Sequence, residues 1–167
     1  GRSPVQTVGY RVNRGILSGE VKMEMELIRD IPLKELIRSA GDARKKAYAP
    51  YSGYMVGAAV LTNELRIYTG CNIENASYGA TVCAERTAIA KAVSEGRRGF
   101  KAIAIVGSPR GDKVSQYSFP CGICRQVIRE FSNPETMIVI VARSEQDYKL
   151  YRLCELLPES FGPDNLQ

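Results

Sequence analysis

The chain has 167 residues, 44% of them hydrophobic and 25% charged, with five cysteines and no histidine. This length is typical of one domain with its own core, and the lack of an apolar run of about 18 residues argues against a membrane-spanning helix. The formal net charge is +5. Residues 1–22 contribute +3 of that charge, so the remaining chain is nearly neutral, with acids and bases interspersed. A nucleic-acid partner is therefore not expected, because single-strand binders need a basic groove interleaved with aromatic side chains.

The first residues differ in composition from the rest. We expect residues 1–29 to be a leader and residues 30–167 to form the domain. Residues 1–22 begin with glycine, are rich in Gly, Ser and Asn, and lack a strong hydrophobic period. This favours an artificial or processed segment with a natural start near Met23 or Met25. An organellar presequence is the alternative, because the first 19 residues contain three arginines and no acid.

A helix and a hairpin are predicted first. Asp30 as N-cap and Pro32 in the first turn predict a helix start, and an apolar stripe continues with helical spacing until Pro50. The apolar run at residues 55–61 and the segment 65–69 predict a hairpin, with Asn63-Glu64 between its two strands.

Helices and strands alternate after the hairpin. Helices are predicted at residues 82–93, with Gly96 as the stop, at 121–131, and at 148–157, ended by Pro158. Short buried strands are predicted at 102–106 and 137–141, and a loop at 107–118. This alternation predicts a mixed sheet covered by helices.

Two short motifs indicate a catalytic metal. Cys121 and Cys124 are three residues apart, so the first turn of a helix would bring both thiols to one face, and Cys83 falls near the first turn of another predicted helix. Three thiolates supply three of the four tetrahedral positions of zinc and leave one for water. Glu85, two residues after Cys83, would lie beside that water as a general base. Zinc deaminases have this arrangement, with cysteine allowed in place of histidine.

Further motifs extend this pattern along the chain. In order, they are Pro50-Tyr51-Ser52, Val56-Gly57-Ala58-Ala59, Cys71-Asn72-Ile73-Glu74-Asn75-Ala76, Cys83-Ala84-Glu85-Arg86-Thr87-Ala88, Cys121-Gly122-Ile123-Cys124-Arg125-Gln126 and Leu156-Leu157-Pro158. With them, roughly residues 31–163 resemble the small, homotetrameric cytidine deaminases that act on free nucleosides.

The resemblance implies a fold, an activity and a cofactor. The fold would be the three-layer α/β/α arrangement of cytidine deaminases, with a mixed β-sheet covered by helices. The activity would be hydrolytic deamination of cytidine and 2′-deoxycytidine to uridine and 2′-deoxyuridine in pyrimidine salvage, with one Zn²⁺ per subunit and Glu85 as proton shuttle. The partners would be a small pyrimidine nucleoside and three further copies of the chain, without nucleic acid or membrane.

The resemblance also implies roles for residues near the metal. Arg86 would hydrogen-bond the ligand thiolates and drain charge from them, and the backbone at Ala84 would recognise the amino group of the base. Asn72 and Glu74 would hold the ribose 3′-hydroxyl; their alternation along a strand end also predicts that they share a face.

Two aromatic residues would act at the substrate. Tyr54 stands where the family usually has a phenylalanine that stacks on the pyrimidine, so its hydroxyl needs a partner. Phe161 matches a C-terminal aromatic that reaches a neighbouring subunit's site; a local lid or a disordered tail is the alternative.

Other functions are possible for the same motifs. A lone C-x-x-C could be redox-active or hold structural zinc, and a binding module could keep the metal without activity. The fold would also suit an aminonucleoside-antibiotic deaminase of the blasticidin type or a polynucleotide deaminase. An odd number of cysteines, three of them at metal-ligand spacing, favours a reducing cytoplasm.

Overall fold

A five-stranded mixed sheet lies at the centre of the protein in the computed structural model, which describes residues 25–166. The strands are β1 (Tyr54–Thr62), β2 (Ile67–Cys71), β3 (Phe100–Pro109), β4 (Ile138–Ser144) and β5 (Asp147–Arg152), in the spatial order β2-β1-β3-β4-β5. The α-helices are α1 (Leu33–Arg44), α2 (Ala84–Ser94), α3 (Gly122–Glu130) and the short α4 (Leu153–Leu156). Strands β3 and β4 are parallel, and the other neighbouring pairs are antiparallel.

Both faces of the sheet are covered, as the three-layer prediction requires. Side chains alternate between the faces along each strand, so Ala58 and Val60 of β1 face one side while Ala59 and Leu61 face the other. The first side packs against α2 and α3, and the second packs against α1. The predicted three-layer α/β/α fold is therefore confirmed.

Two glycines let helices lie directly against the sheet. A Cβ at Gly57 would lie 2.9 Å from the Cα of Arg44 and closer still to the carbonyl oxygen of Ala40, both on α1. A Cβ at Gly70 would lie 2.6 Å from the carbonyl oxygen of Ala84 and closer still to the amide nitrogen of Ala88, both on α2. Each helix therefore contacts strand backbone at a point where no side chain fits.

The start and end of the first helix differ from the prediction. Pro32, rather than Asp30, is the N-cap of α1, and no side chain caps the helix. Its first amide donates to the Ile31 carbonyl at 2.8 Å instead, so an Asp30 cap is not needed. The helix ends at Arg44, before the predicted limit at Pro50.

Three later elements also differ from the prediction. Strand β2 begins at Ile67 because Leu65 lies in the turn with a positive φ of 61°. Strand β3 continues into the predicted 107–118 loop as far as Pro109, paired with β1. The helix predicted at 148–157 is wrong for its first half, because residues 147–152 form β5 against β4 and only Leu153–Leu156 is helical.

The N-terminal boundary is only partly covered by the structure. The predicted leader falls mostly outside the described residues, although Leu27 and Ile28 pack against the α1 side of the core. Among residues 25–166, no helix has the length and apolar content needed to cross a bilayer.

Candidate active site

Two helix N-termini bring the three predicted metal ligands together. Cys83 is the N-cap of α2, Cys121 is the N-cap of α3, and Cys124 lies in the first turn of α3. Their three Sγ atoms lie within 4.8 Å of one another, and the Cys83 and Cys121 sulfurs are 3.9 Å apart. Both helix dipoles point their positive ends at this cluster, which favours thiolates there.

The cluster fits zinc. Tetrahedral zinc–sulfur bonds of about 2.3 Å place neighbouring sulfurs about 3.8 Å apart, close to the observed Cys83–Cys121 separation. The chain has no histidine that could complete a closed site. Three soft sulfur ligands with a fourth position open are the arrangement of catalytic zinc.

Arg86 lies beside the thiols. Its Nη2 donates to the Thr81 carbonyl at 2.9 Å and lies 3.9 Å from Cys83 Sγ. A hydrogen bond from the Cys124 thiol, helped by the Arg86 guanidinium, lowers the pKa of Cys83 to about 5. One sulfur of the cluster is thus held as a thiolate, the form that binds metal.

Glu85 lies in the first turn of α2 with only 4% of its surface exposed. Burial, reinforced by the neighbouring Cys83 thiolate, raises the pKa of Glu85 to about 7. A carboxyl whose pKa is near neutral can both accept and donate a proton at physiological pH.

A cleft of about 310 Å³ opens over this cluster. Its walls come from β1, β3, the start of α2 and the segment before α3. The lining residues are Tyr54, Val56, Asn72, Thr81, Cys83, Ala84, Glu85, Ile105, Ser118, Phe119 and Cys121. The cleft therefore brings two metal thiols and the buried carboxyl to the same space as three predicted substrate residues, Tyr54, Ala84 and Asn72.

Asn72 bonds to the first residues of β1, whereas Glu74 bonds to the segment just before β1. The side-chain amide of Asn72 donates from Nδ2 to the Tyr54 carbonyl and accepts at Oδ1 from the backbone N–H of Val56, each at 2.8 Å. The Glu74 carboxylate accepts from the Tyr51 amide at 2.8 Å and from Ser52. Asn72 lines the cleft, whereas Glu74 is not among its lining residues.

Phe161 does not line the cleft of its own chain. Its side chain is 60% exposed, while its carbonyl accepts a hydrogen bond from Gln126 of α3 at 3.0 Å. Arg129 of the same helix bonds Ser160 and Asp164 on either side of it. The helix that carries two metal thiols thus also holds the C-terminal segment, with the Phe161 ring directed outward.

The sequence prediction missed Ser118 and Phe119, which line the cleft. Residues 107–118 were predicted to be a loop, and neither Ser118 nor Phe119 was proposed as a site residue. Their position just before the Pro120-Cys121 motif is the one sequence signal that could have indicated them.

The comparisons with known proteins agree with this site. Residues 32–141 match the family model described as the cytidine and deoxycytidylate deaminase zinc-binding region. The chain therefore belongs to this family of zinc-dependent deaminases. The predicted family and zinc requirement are confirmed.

Individual relatives cover most of the chain. It is 47% identical to a cytidine deaminase of Sporosarcina psychrophila over 80% of this chain and 94% of that protein. It is 39% identical to the cytidine deaminase of Mycobacterium tuberculosis over 82% of this chain and 95% of that protein. The crystal structure of the Burkholderia pseudomallei cytidine deaminase matches with a TM-score of 0.68 and 44% identity, covering 76% of this chain and 97% of that one.

Proposed function

We propose that this protein hydrolyses cytidine and 2′-deoxycytidine to uridine and 2′-deoxyuridine, with release of ammonia. The observation that carries the proposal is the buried carboxyl of Glu85 in the same cleft as the converging thiols of Cys83 and Cys121. Two cytidine deaminases match this chain over nearly their whole length, and this supports the same substrate.

The reaction needs one attacking water and several proton transfers. Zinc bound by Cys83, Cys121 and Cys124 would supply an activated water. The Glu85 carboxylate takes one proton from the attacking water and delivers it to N3 of the pyrimidine. It then takes the second proton from the new hydroxyl at C4, which becomes the carbonyl, and gives it to the amine that leaves as ammonia. The attack at C4 and the loss of ammonia thus leave Glu85 in its starting state. Acid–base catalysis by one such group contributes about 10²–10⁴-fold.

The other predicted site residues would orient the nucleoside or stabilise the metal thiolates, whether or not they line the cleft. In this proposal the backbone at Ala84 accepts from the amino group, and the Tyr54 ring covers the pyrimidine. Asn72 and Glu74 hold the ribose 3′-hydroxyl, for which Asn72 keeps one free N–H after donating to Tyr54. Arg86 stabilises the thiolates beside the metal.

We propose that four copies assemble into the active enzyme. Several large apolar side chains are exposed, among them Tyr51, Tyr78, Ile123 and Phe161, and exposed apolar surface of this kind marks interfaces. The outward ring of Phe161 would enter the cleft of a neighbouring copy. Native mass spectrometry should show a species of four chains, and Phe161→Ala should raise KM for cytidine without releasing zinc.

The biological setting is proposed from the same chemistry. Free thiols at all five cysteines suit a reducing cytoplasm, and recovery of uridine from cytidine is a step of pyrimidine salvage. The matched region begins at residue 32, which supports a domain from residue 30 preceded by a leader. Because Leu27 and Ile28 contact the core, the deletion that tests this removes residues 1–24 and should leave turnover unchanged.

The deciding experiment combines metal analysis with a cytidine assay. Purified protein should contain one zinc per chain, and cytidine absorbance should fall as uridine forms. Glu85→Gln should keep zinc but lose at least about 10²-fold in kcat, whereas Glu130→Gln, an exposed position on α3, should match wild type. A Glu85→Gln enzyme with normal turnover would disprove its role, and turnover of a blasticidin-type antibiotic or an oligonucleotide in place of cytidine would reassign the substrate.

A further inference from the structure

Tyr54 is fixed at its backbone where it enters the cleft. It is the first residue of β1, and its carbonyl accepts a hydrogen bond from the Asn72 side chain at 2.8 Å. The same side chain accepts from the Val56 amide, also at 2.8 Å. The backbone from which the Tyr54 ring projects is therefore held on both sides.

The far end of the ring is held by a residue distant in sequence. The Tyr54 hydroxyl and Ser118 Oγ share a hydrogen bond of 2.8 Å in a partly buried environment. Gly107 of β3 leaves room for this contact, because a Cβ there would lie 3.1 Å from the Tyr54 ring and closer still to Ser118 Oγ. Both partners line the cleft, and Ser118 lies three residues before the metal ligand Cys121.

We infer that Ser118 is a positioning residue that acts through the Tyr54 hydroxyl to hold the aromatic ring as the wall on which the pyrimidine packs. This inference rests on the proposed cytidine deaminase activity, because it assigns the pair a role in binding that substrate. Without Ser118, the Tyr54 hydroxyl loses its partner in a partly buried place, and such a group is costly to leave unpaired. Rotation of the ring toward water restores hydration but removes the wall from the cleft.

The loss should appear in substrate binding rather than in chemistry. The ring contacts the base equally in the ground state and in the transition state, so its displacement raises KM and leaves kcat nearly unchanged. Ser118→Ala should therefore raise KM for cytidine about tenfold, the equivalent of one hydrogen bond, with kcat and zinc content close to those of wild type. Tyr54→Phe removes the hydroxyl together with its need for a partner, so the change in KM should be smaller.

A double-mutant cycle tests whether Ser118 acts through Tyr54. Adding Ser118→Ala to Tyr54→Phe should change KM by less than about twofold, because the interaction is already absent. Ser115→Ala is the matched control, since Ser115 is an exposed serine of the same loop and should behave as wild type. Three results would each overturn the inference. Ser118→Ala raises KM equally in wild type and in Tyr54→Phe, it leaves KM unchanged in wild type, or it lowers kcat with loss of zinc.

Unfolding measurements separate this inference from the proposed function. Ser118→Ala should lower the urea midpoint in the wild-type background and not in Tyr54→Phe, whether or not the enzyme turns over cytidine. Equal shifts in both backgrounds would refute the pairing itself. Absence of cytidine turnover in zinc-loaded wild type would instead refute the proposed function, and the assigned role of the pair with it.

Discussion

Gly70→Ala should damage the active site by moving the helix that carries Cys83 and Glu85. The new Cβ would lie 2.6 Å from the Ala84 carbonyl oxygen, whereas ordinary van der Waals contact begins at about 3.4 Å. The obstacle is helix backbone, which cannot rotate away, so α2 must move by about 1 Å from β2.

The expected magnitude follows from this displacement. Overpacking of this kind costs about 1–3 kcal/mol in the free energy of unfolding. A misplacement of about 1 Å at catalytic groups can cost about 10²-fold in rate. We therefore expect kcat/KM for cytidine to fall about a hundredfold per folded, zinc-loaded molecule.

Gly57→Ala is the matched control. Its Cβ would meet the backbone of α1, on the opposite face of the sheet from the metal cluster. Gly57→Ala should lower the free energy of unfolding in urea by about as much as Gly70→Ala does. At urea concentrations below its unfolding transition, it should keep nearly normal kcat/KM. Gly41→Ala, inside α1 with no atom within 4 Å of the new Cβ, should instead stabilise by about 0.5–1 kcal/mol.

The contrast between the two strand glycines makes the reasoning refutable. Normal kcat/KM in folded Gly70→Ala would show that α2 tolerates the displacement or that its position does not set the rate. Equal loss of activity in Gly57→Ala would show that general destabilisation, rather than movement of α2, is responsible.

Two further predictions concern charges at the cluster. In zinc-free protein, burial raises the pKa of Glu85 to about 7 from its ordinary 4.5. The folded state then binds the extra proton between these values, so the contribution of Glu85 to stability falls as pH rises through this window, by about 3 kcal/mol in all. Glu85→Gln should remove this contribution. In urea unfolding, the free energy of unfolding of Glu85→Gln relative to wild type should therefore be higher at pH 8 than at pH 5. A difference that is the same at both pH values would contradict the pKa shift. Arg86→Ala should retain zinc but lose about ten- to a hundredfold in activity, because the thiolates lose a neighbouring cation; unchanged turnover, or complete loss of metal in colorimetric zinc analysis, would argue against this role.

Local spacing was sufficient to predict two close pairs of candidate site residues. Cys121 and Cys124 are brought together by one turn of one helix, so their geometry depends little on the rest of the fold. The same holds for Cys83 and Glu85 at the start of α2. The buried runs of β1, β3 and β4 were likewise predictable, because a central strand needs apolar residues on both faces.

The sequence was less informative where local preference and tertiary pairing compete. Residues 148–157 have apolar spacing compatible with a helix, but pairing with β4 makes residues 147–152 a strand. The Asp30 cap failed for a local reason instead, because the Leu33 amide donates to the Ile31 carbonyl.

The sequence by itself determined the Cys121–Cys124 pair, the Cys83–Glu85 pair and the buried central strands, because each depends on neighbours within a few residues or on the burial of a strand. The tertiary structure decided that the two pairs meet, with the Cys83 and Cys121 sulfurs 3.9 Å apart. Only the tertiary structure decided that Tyr54 bonds Ser118, 64 residues away, and that Gly70 admits α2 against the sheet. Contacts between distant segments depend on strand order and on the space left by neighbouring side chains, and the local spacing of residues predicts neither of these.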